Sequence, residues 1–144
     1  MVTAMHLIDF LDKGSTLRSR SPCLTMNGLD LSYGEIQSFT YRLARAFQQS
    51  GIVPGDKVAV LSSNDPMAFV CVFGISRAGA VWCPIDPRNE AFENQYILDA
   101  FDCTCLIFHS NYADLVARIR PGLAKLKCVI CLDKPHDLGP ALKD

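Results

Sequence analysis

Hydrophobic positions along this chain change their period several times, and each change marks an element. Leu7, Ile8 and Leu11 recur at helical spacing near the N-terminus, a short helix that Gly14 is expected to close. The Ser- and Arg-rich stretch from Lys13 to Pro22 reads as a loop. Cys23 to Ser32, CLTMNGLDLS, carries two short runs on either side of Asn27-Gly28. That dipeptide is the preferred centre of a type I′ hairpin turn, because both positions tolerate positive φ. Glu35 stands three residues after Ser32, the spacing of a capping box, in which hydroxyl and carboxylate each satisfy one orphan backbone N–H. Ile36, Phe39, Leu43 and Phe47 then recur at helical period up to Gly51.

From Lys57 the pattern alternates. Lys57 to Ser62, KVAVLS, is a short β-branched run of the kind that fills a strand buried on both faces. Asn64 or Asp65 can cap the next helix and Pro66 suits its first turn, while Met67 to Ser76 is apolar nearly all round. The chain is organised around the unit that follows, Gly74 to Arg88, GISRAGAVWCPIDPR. Its helix ends at Gly79, where positive φ is cheapest for glycine, and a strand runs through Val81, Trp82 and Cys83. Pro84 and Pro87 should stop that strand within one or two residues of Cys83. Asn89 can cap a helix with the apolar face Phe92, Tyr96, Ile97, Ala100 and Phe101, and Cys105 to Phe108 forms another strand. Ser110 or Asn111 opens a helix through Leu115, Val116 and Ile119 that Pro121-Gly122 ends, and Cys128 to Leu132 is one more strand. The fold class is therefore α/β, a mostly parallel sheet flanked by helices and preceded by a β-hairpin, with right-handed crossovers. Residues 1–133 read as one unit, and the polar tail 134–144, with Pro135, Gly139 and Pro140, reads as the start of a linker.

Composition narrows the function classes. At 144 residues one domain fits, and such a chain buries roughly 70% of the surface its unfolded form exposes. Hydrophobic residues at 49% and charged residues at 20% belong to an ordered globular protein. A net charge of -1 gives no global attraction to polyanions, so nucleic acid and anionic membrane are poor partners. The most apolar run, Met67 to Ile75, falls short of the roughly 20 residues a spanning helix needs. Asp9 and Asp12 stand where a secretory signal would be basic and then apolar, so the expected compartment is the cytoplasm and the seven cysteines are expected to be reduced.

Two stretches together resemble the adenylate-forming acyl-CoA synthetase (AMP-binding) family. Leu31-Ser32-Tyr33-Gly34-Glu35-Ile36 is similar to its opening motif L-(T/S)-Y-x-E-L, with Ile in the last place. Ala78-Gly79-Ala80-Val81-Trp82-Cys83-Pro84-Ile85-Asp86-Pro87 is similar to K-A-G-x-x-x-x-P-(I/L)-(D/N)-P, with Arg77 where Lys is usual. Gly55-Asp56-Lys57-Val58 and the region from Asn64 also follow the family, although Met67 replaces its usual Glu. Order and spacing agree over about residues 24–132, and the flavour is closer to fatty-acyl or aryl CoA ligases than to peptide-synthetase modules. The resemblance implies a parent enzyme that uses ATP and Mg2+ to turn a small-molecule carboxylic acid into an acyl-adenylate and then passes the acyl group to coenzyme A. The family's phosphate loop and its adenine, ribose and catalytic-lysine motifs have no counterpart here; Lys13-Gly14-Ser15-Thr16 is the nearest string, and one glycine cannot make a cradle of consecutive N–H groups. The chain is accordingly read as the N-terminal portion of such an enzyme, inactive alone, with no cofactor bound and with an uncovered sheet edge or face that favours self-association. The alternative is a stand-alone α/β module that binds a ligand or partner. A receiver-type module is disfavoured, since Ser62-Ser63-Asn64 and His109-Ser110 supply neither its acidic pair nor its phospho-acceptor Asp.

No residue is assigned a catalytic or metal-ligating role. Cys103, Cys105, Cys128 and Cys131 have zinc-like spacing, but strand alternation points Cys128 and Cys131 to opposite faces, so core packing is preferred. Ser62-Ser63-Asn64 and His109-Ser110 both fall just past strand carboxyl ends, where open α/β sheets bind ligands. His109 is the one candidate for contact with a cofactor in the parent enzyme, against a plain cap or loop role. Ser32 and Glu35 are read as capping residues, and Arg77 and Arg88 as solvated or paired with nearby carboxylates.

Overall fold

A strand with apolar residues on both faces needs cover on both, and Lys57–Leu61 (β3) obtains it from helices on either side. The structure is a computed structural model and describes residues 4–134, 137–139 and 142. In chain order the elements are α1 (Leu7–Arg18), β1 (Pro22–Met26), β2 (Leu29–Ser32), α2 (Tyr33–Gln49), β3, α3 (Pro66–Arg77), β4 (Val81–Ile85), α4 (Ala91–Ala100), β5 (Cys103–Phe108), α5 (Ala113–Ile119) and β6 (Cys128–Cys131). The four later strands form a parallel sheet in the order β4-β3-β5-β6, and β1 and β2 make a separate antiparallel hairpin. Ala59 and Leu61 face α4 and α5, while Val58 and Val60 face α2 and α3. A third cluster, with Ile8, Leu11, Ile36, Val70 and Phe73, fastens α1 and the hairpin to the outer side of α2 and α3.

Local chemistry explains most boundaries. Asn27 and Gly28 take φ of 52° and 76°, the positive values a type I′ turn requires, so the hairpin turns where expected. Ser32 Oγ accepts the Glu35 N–H at 3.3 Å and Glu35 Oε2 accepts the Ser32 N–H at 2.8 Å, which is the reciprocal capping box. Asp65, rather than Asn64, caps α3 by accepting from Met67 N at 2.7 Å, with Pro66 in the first turn. Gly79 ends the α3 turn at φ 71°.

Three expectations are corrected. The first helix does not close at Gly14 but continues to Arg18, so the loop read from Lys13 is helical for more than half its length. Gly14 has a different purpose: a Cβ there would overlap the Tyr33 ring, so the glycine lets α1 and α2 approach. Strand β4 does stop at Ile85, two residues past Cys83 as expected, and Pro84 pairs with Val60 within it, which an edge strand tolerates because a missing N–H interrupts no ladder on its open side. Helix α4 starts after Glu90, whose N–H is held by Glu93 Oε2 at 2.8 Å, and not after Asn89. Its inward side is also different: Phe92, Tyr96 and Phe101 are 72%, 73% and 55% exposed, whereas Leu98 and Asn94 are buried. Asn94 Nδ2 donates to the Asp86 carbonyl at 3.0 Å and Asn94 Oδ1 accepts from Asn89, so the polar needs of the turn after β4 set the rotation of α4.

Arg77 is the residue that joins three helices. Its guanidinium forms a bidentate pair with Asp12 of α1, donates from Nε to the buried Thr40 Oγ1 of α2 at 2.8 Å, and lies 3.8 Å over the Tyr41 ring. Burial would raise the Asp12 carboxyl, but hydrogen bonds from Arg77 and Gln37 outweigh that and hold it below its usual value. The tail residues Leu138 and Leu142 pack on the two sheet faces, and the Leu142 N–H donates to the Cys131 carbonyl at 2.9 Å; Pro135 and Pro140, on which the linker reading rests, lie outside the described residues.

Loss of a serine cap typically costs about 1 kcal/mol. Ser32→Ala should therefore lower unfolding free energy in urea by about that amount, while Ser38→Ala, on the exposed side of the same helix, should leave it unchanged; equal effects would refute the cap.

Candidate functional site

The chain leaves β3 for α3 on one face of the sheet and leaves β5 for α5 on the other. Where the exits of two neighbouring parallel strands diverge in this way, their carboxyl ends are the usual ligand position in open α/β sheets. Ser62, Ser63 and Asn64 follow β3 there, and His109, Ser110 and Asn111 follow β5. The His109 N–H donates to the Leu61 carbonyl at 3.0 Å, which fixes the two loops side by side. Asp133, just past β6, completes the edge and was not singled out from the sequence, although the same carboxyl-end rule applied to Cys128–Leu132 points to it.

The polar groups at this edge bind one another. Ser110 gives Asp133 two hydrogen bonds, from its N–H at 2.8 Å and its hydroxyl at 2.6 Å. Asn111 N–H donates to His109 Nδ1 at 3.2 Å, so a neutral ring carries its proton on Nε2, the nitrogen 3.8 Å from Asp133 Oδ2. This is not a nucleophile and base: the Ser110 hydroxyl is spent on the carboxylate and the acceptor nitrogen of His109 is taken by the backbone. Burial pushes the Asp133 carboxyl up, but the Ser110 hydroxyl and N–H, with His109 nearby, overcome it and set it at about 2.

A hollow of about 360 Å³ lies beside β3 and β4, under the hairpin, walled by Ser62, Asn64, Phe69, Trp82 and Pro84 among others. Ser62 Oγ is buried there without a hydrogen-bond partner among the described residues. Arg88 stands outside this region, exposed and closed onto Asp86, whose carboxyl its guanidinium holds at about 2.

Among the described residues no group of three His, Cys, Asp or Glu side chains converges on a common point. Cys105 and Cys128 lie on the α2/α3 side of the sheet while Cys103 and Cys131 lie on the α4/α5 side; the register shift between Lys57 and Val58 puts Cys103 and Cys105 on opposite faces despite their two-residue spacing. Lys13-Gly14-Ser15-Thr16 is interior to α1, with the Ser15 hydroxyl on Gln37 and that of Thr16 on the Asp12 carbonyl, so its N–H groups belong to the helix and do not fit a phosphate. No helix among the described residues is long and apolar enough to cross a membrane.

Fold and edge together define a doubly wound α/β scaffold, with a four-stranded parallel sheet covered by helices on both faces. The sequence profile of the AMP-binding enzyme family matches residues 13–143, and the chain belongs to that family. It is 27% identical over 135 residues to the 3-oxocholest-4-en-26-oate–CoA ligase of Rhodococcus rhodochrous, covering 94% of this chain and 24% of that enzyme. A shorter match to surfactin synthase subunit 2 of Bacillus subtilis is 39% identical over 77 residues, 54% of this chain and 2% of that protein. The fold superposes with a TM-score of 0.91 on a crystal structure described as a putative long-chain-fatty-acid CoA ligase from Rhodopseudomonas palustris, at 23% identity, covering 97% of this chain and 36% of that one. The chain thus spans about a quarter of the Rhodococcus enzyme.

A carboxyl whose folded pKa is depressed contributes stability above its unfolded value near 4, and that contribution is lost as pH falls through the folded value. Followed by NMR, Asp133 should titrate near pH 2 in the wild-type chain. In Ser110→Ala its midpoint should move up toward about 4 and acid unfolding should begin at higher pH; an unmoved midpoint would contradict the assignment of Ser110 as its main support.

Proposed function

We propose that the chain is the N-terminal portion of an ATP-dependent acyl-CoA ligase, supplying scaffold and one wall of the ligand crevice rather than reacting groups. The observation that carries this reading is what the two family-like motifs do in the fold. In Leu31–Ile36, Ser32 and Glu35 cap α2, Tyr33 covers Gly14, and Ile36 is buried. In Ala78–Pro87, Gly79 supplies the positive φ, its carbonyl receives the Gly55 N–H at 2.9 Å, and Asp86 holds Asn94. These roles are structural.

The parent enzyme takes ATP and Mg2+, joins AMP to the carboxylate of a small acid with release of pyrophosphate, and transfers the acyl group to coenzyme A. Support comes from the CoA-ligase relatives, whose matches run over nearly all of this chain. His109, with its ring held by Asn111 N–H beside Asp133, is the described candidate for ligand contact, and Ser62 Oγ awaits a partner in the same region. Residues 1–133 form the α/β subdomain in this reading and the tail leads toward the rest of the enzyme. In the isolated chain the half-exposed Val81 and Trp82 on the open edge of β4 favour self-association.

Pyrophosphate release tests the reading. The complete open reading frame should release pyrophosphate when given ATP, Mg2+ and a panel of fatty and aromatic acids, and the 144-residue chain should release none. Catalysis by the 144-residue chain, or a complete protein inert with every acid, would overturn it.

A further inference from the structure

Parallel pairing of β5 with β6 sets Cys105 directly beside Cys128, and both side chains project to the α2/α3 face. Directly paired residues on adjacent strands lie about 4.8 Å apart, inside the window of about 4.4–6.8 Å between Cα atoms that a disulfide accepts. No other pair of strand cysteines meets both conditions. Cys83 and Cys103 share the opposite face and their thiols hydrogen-bond over Ala59, but β3 stands between their strands and holds the Cα atoms about 9.6 Å apart, outside that window, and Cys131 points away from Cys128.

The two thiols differ in access. Cys105 is fully buried, whereas Cys128 is partly exposed and lines the open groove between α2 and the outer edge of β6. The Cys105 thiol donates to the Cys128 sulfur and the Lys127 ammonium is close by, which together lower Cys128 from its ordinary value; the same hydrogen bond and burial push Cys105 up. Reactive thiols are those with thiolate character and exposure, and a buried neighbour in bonding reach is the resolving partner.

We propose that Cys128 and Cys105 form a peroxide-sensitive pair, in which hydrogen peroxide oxidises Cys128 and Cys105 closes an intrachain disulfide. The Cys128 thiolate attacks one peroxide oxygen, the O–O bond breaks, and the departing hydroxide takes a proton to become water, leaving a sulfenic acid. The Cys105 sulfur then attacks the Cys128 sulfur, the S–O bond breaks, and hydroxide leaves with the Cys105 proton as a second water. Two thiols lose two electrons and peroxide gains them. The closed pair joins the outer strand β6 covalently to β5.

Peptide mapping of the peroxide-treated 144-residue chain tests this, with free thiols alkylated first and the crosslinked peptides sequenced by fragmentation. Cys105–Cys128 should be the main intrachain crosslink, reversed by dithiothreitol, and it should persist in Cys103→Ser and Cys131→Ser. Cys105→Ser should instead accumulate a dimedone-reactive sulfenic acid at Cys128, and Cys128→Ser should lose both products. Absence of the crosslink in the wild-type chain, a main crosslink through Cys71, Cys83, Cys103 or Cys131, or dimedone labelling centred elsewhere would overturn the proposal.

Discussion

Everything in this fold depends on one strand having no free side. β3 is hydrogen-bonded to β4 on one edge and β5 on the other, and Val58, Ala59 and Leu61 are completely buried between two helical layers. Burying a Val or Leu side chain is worth about 1.5–3 kcal/mol, so a five-residue strand of this kind concentrates a large part of the core in one place. It also dictates the path of the chain, because short parallel connections must cross over a face. With α3 on one face and α4 and α5 on the other, the exits from β3 and β5 diverge at their carboxyl ends.

The helices are then held by polar groups that have few alternatives. Arg77 reaches Asp12 and the buried Thr40 at once, and Gln37 braces both, donating to Asp12 and receiving the Thr40 hydroxyl at its carbonyl. Asn94 plays the same part on the opposite face, turning α4 so that its carboxamide serves the loop after β4 and its aromatic residues face outward. On α4, satisfying a buried polar group outranks burying apolar surface.

Much of this was legible in the sequence, for identifiable reasons. The hairpin turn, the Ser32–Glu35 box, the glycine at position 79 and the succession of strands and helices from Lys57 rest on short-range chemistry, and the structure has them all. The misreadings are long-range. Gly14 looked like a stop because nothing local shows that Tyr33 will pack on it, and the apolar face assigned to α4 failed because Phe92, Tyr96 and Phe101 cannot reveal that Asn94 has a carbonyl to serve. At the carboxyl-end edge, Ser62 and His109 were found by position alone, while Asp133 was missed although it follows a strand that the sequence marks clearly. The pairing of Cys105 with Cys128 depends on strand order, which a periodicity argument does not supply.

The family-like motifs sit at caps, turns and close approaches, which supports the proposed separation of scaffold from nucleotide chemistry. Isothermal titration of the 144-residue chain with MgATP tests that separation of scaffold from chemistry most directly. The account predicts no binding tighter than about 1 mM, little more than −4 kcal/mol. Saturable binding at about 1 μM would contradict it and make the chain a nucleotide-binding module in its own right.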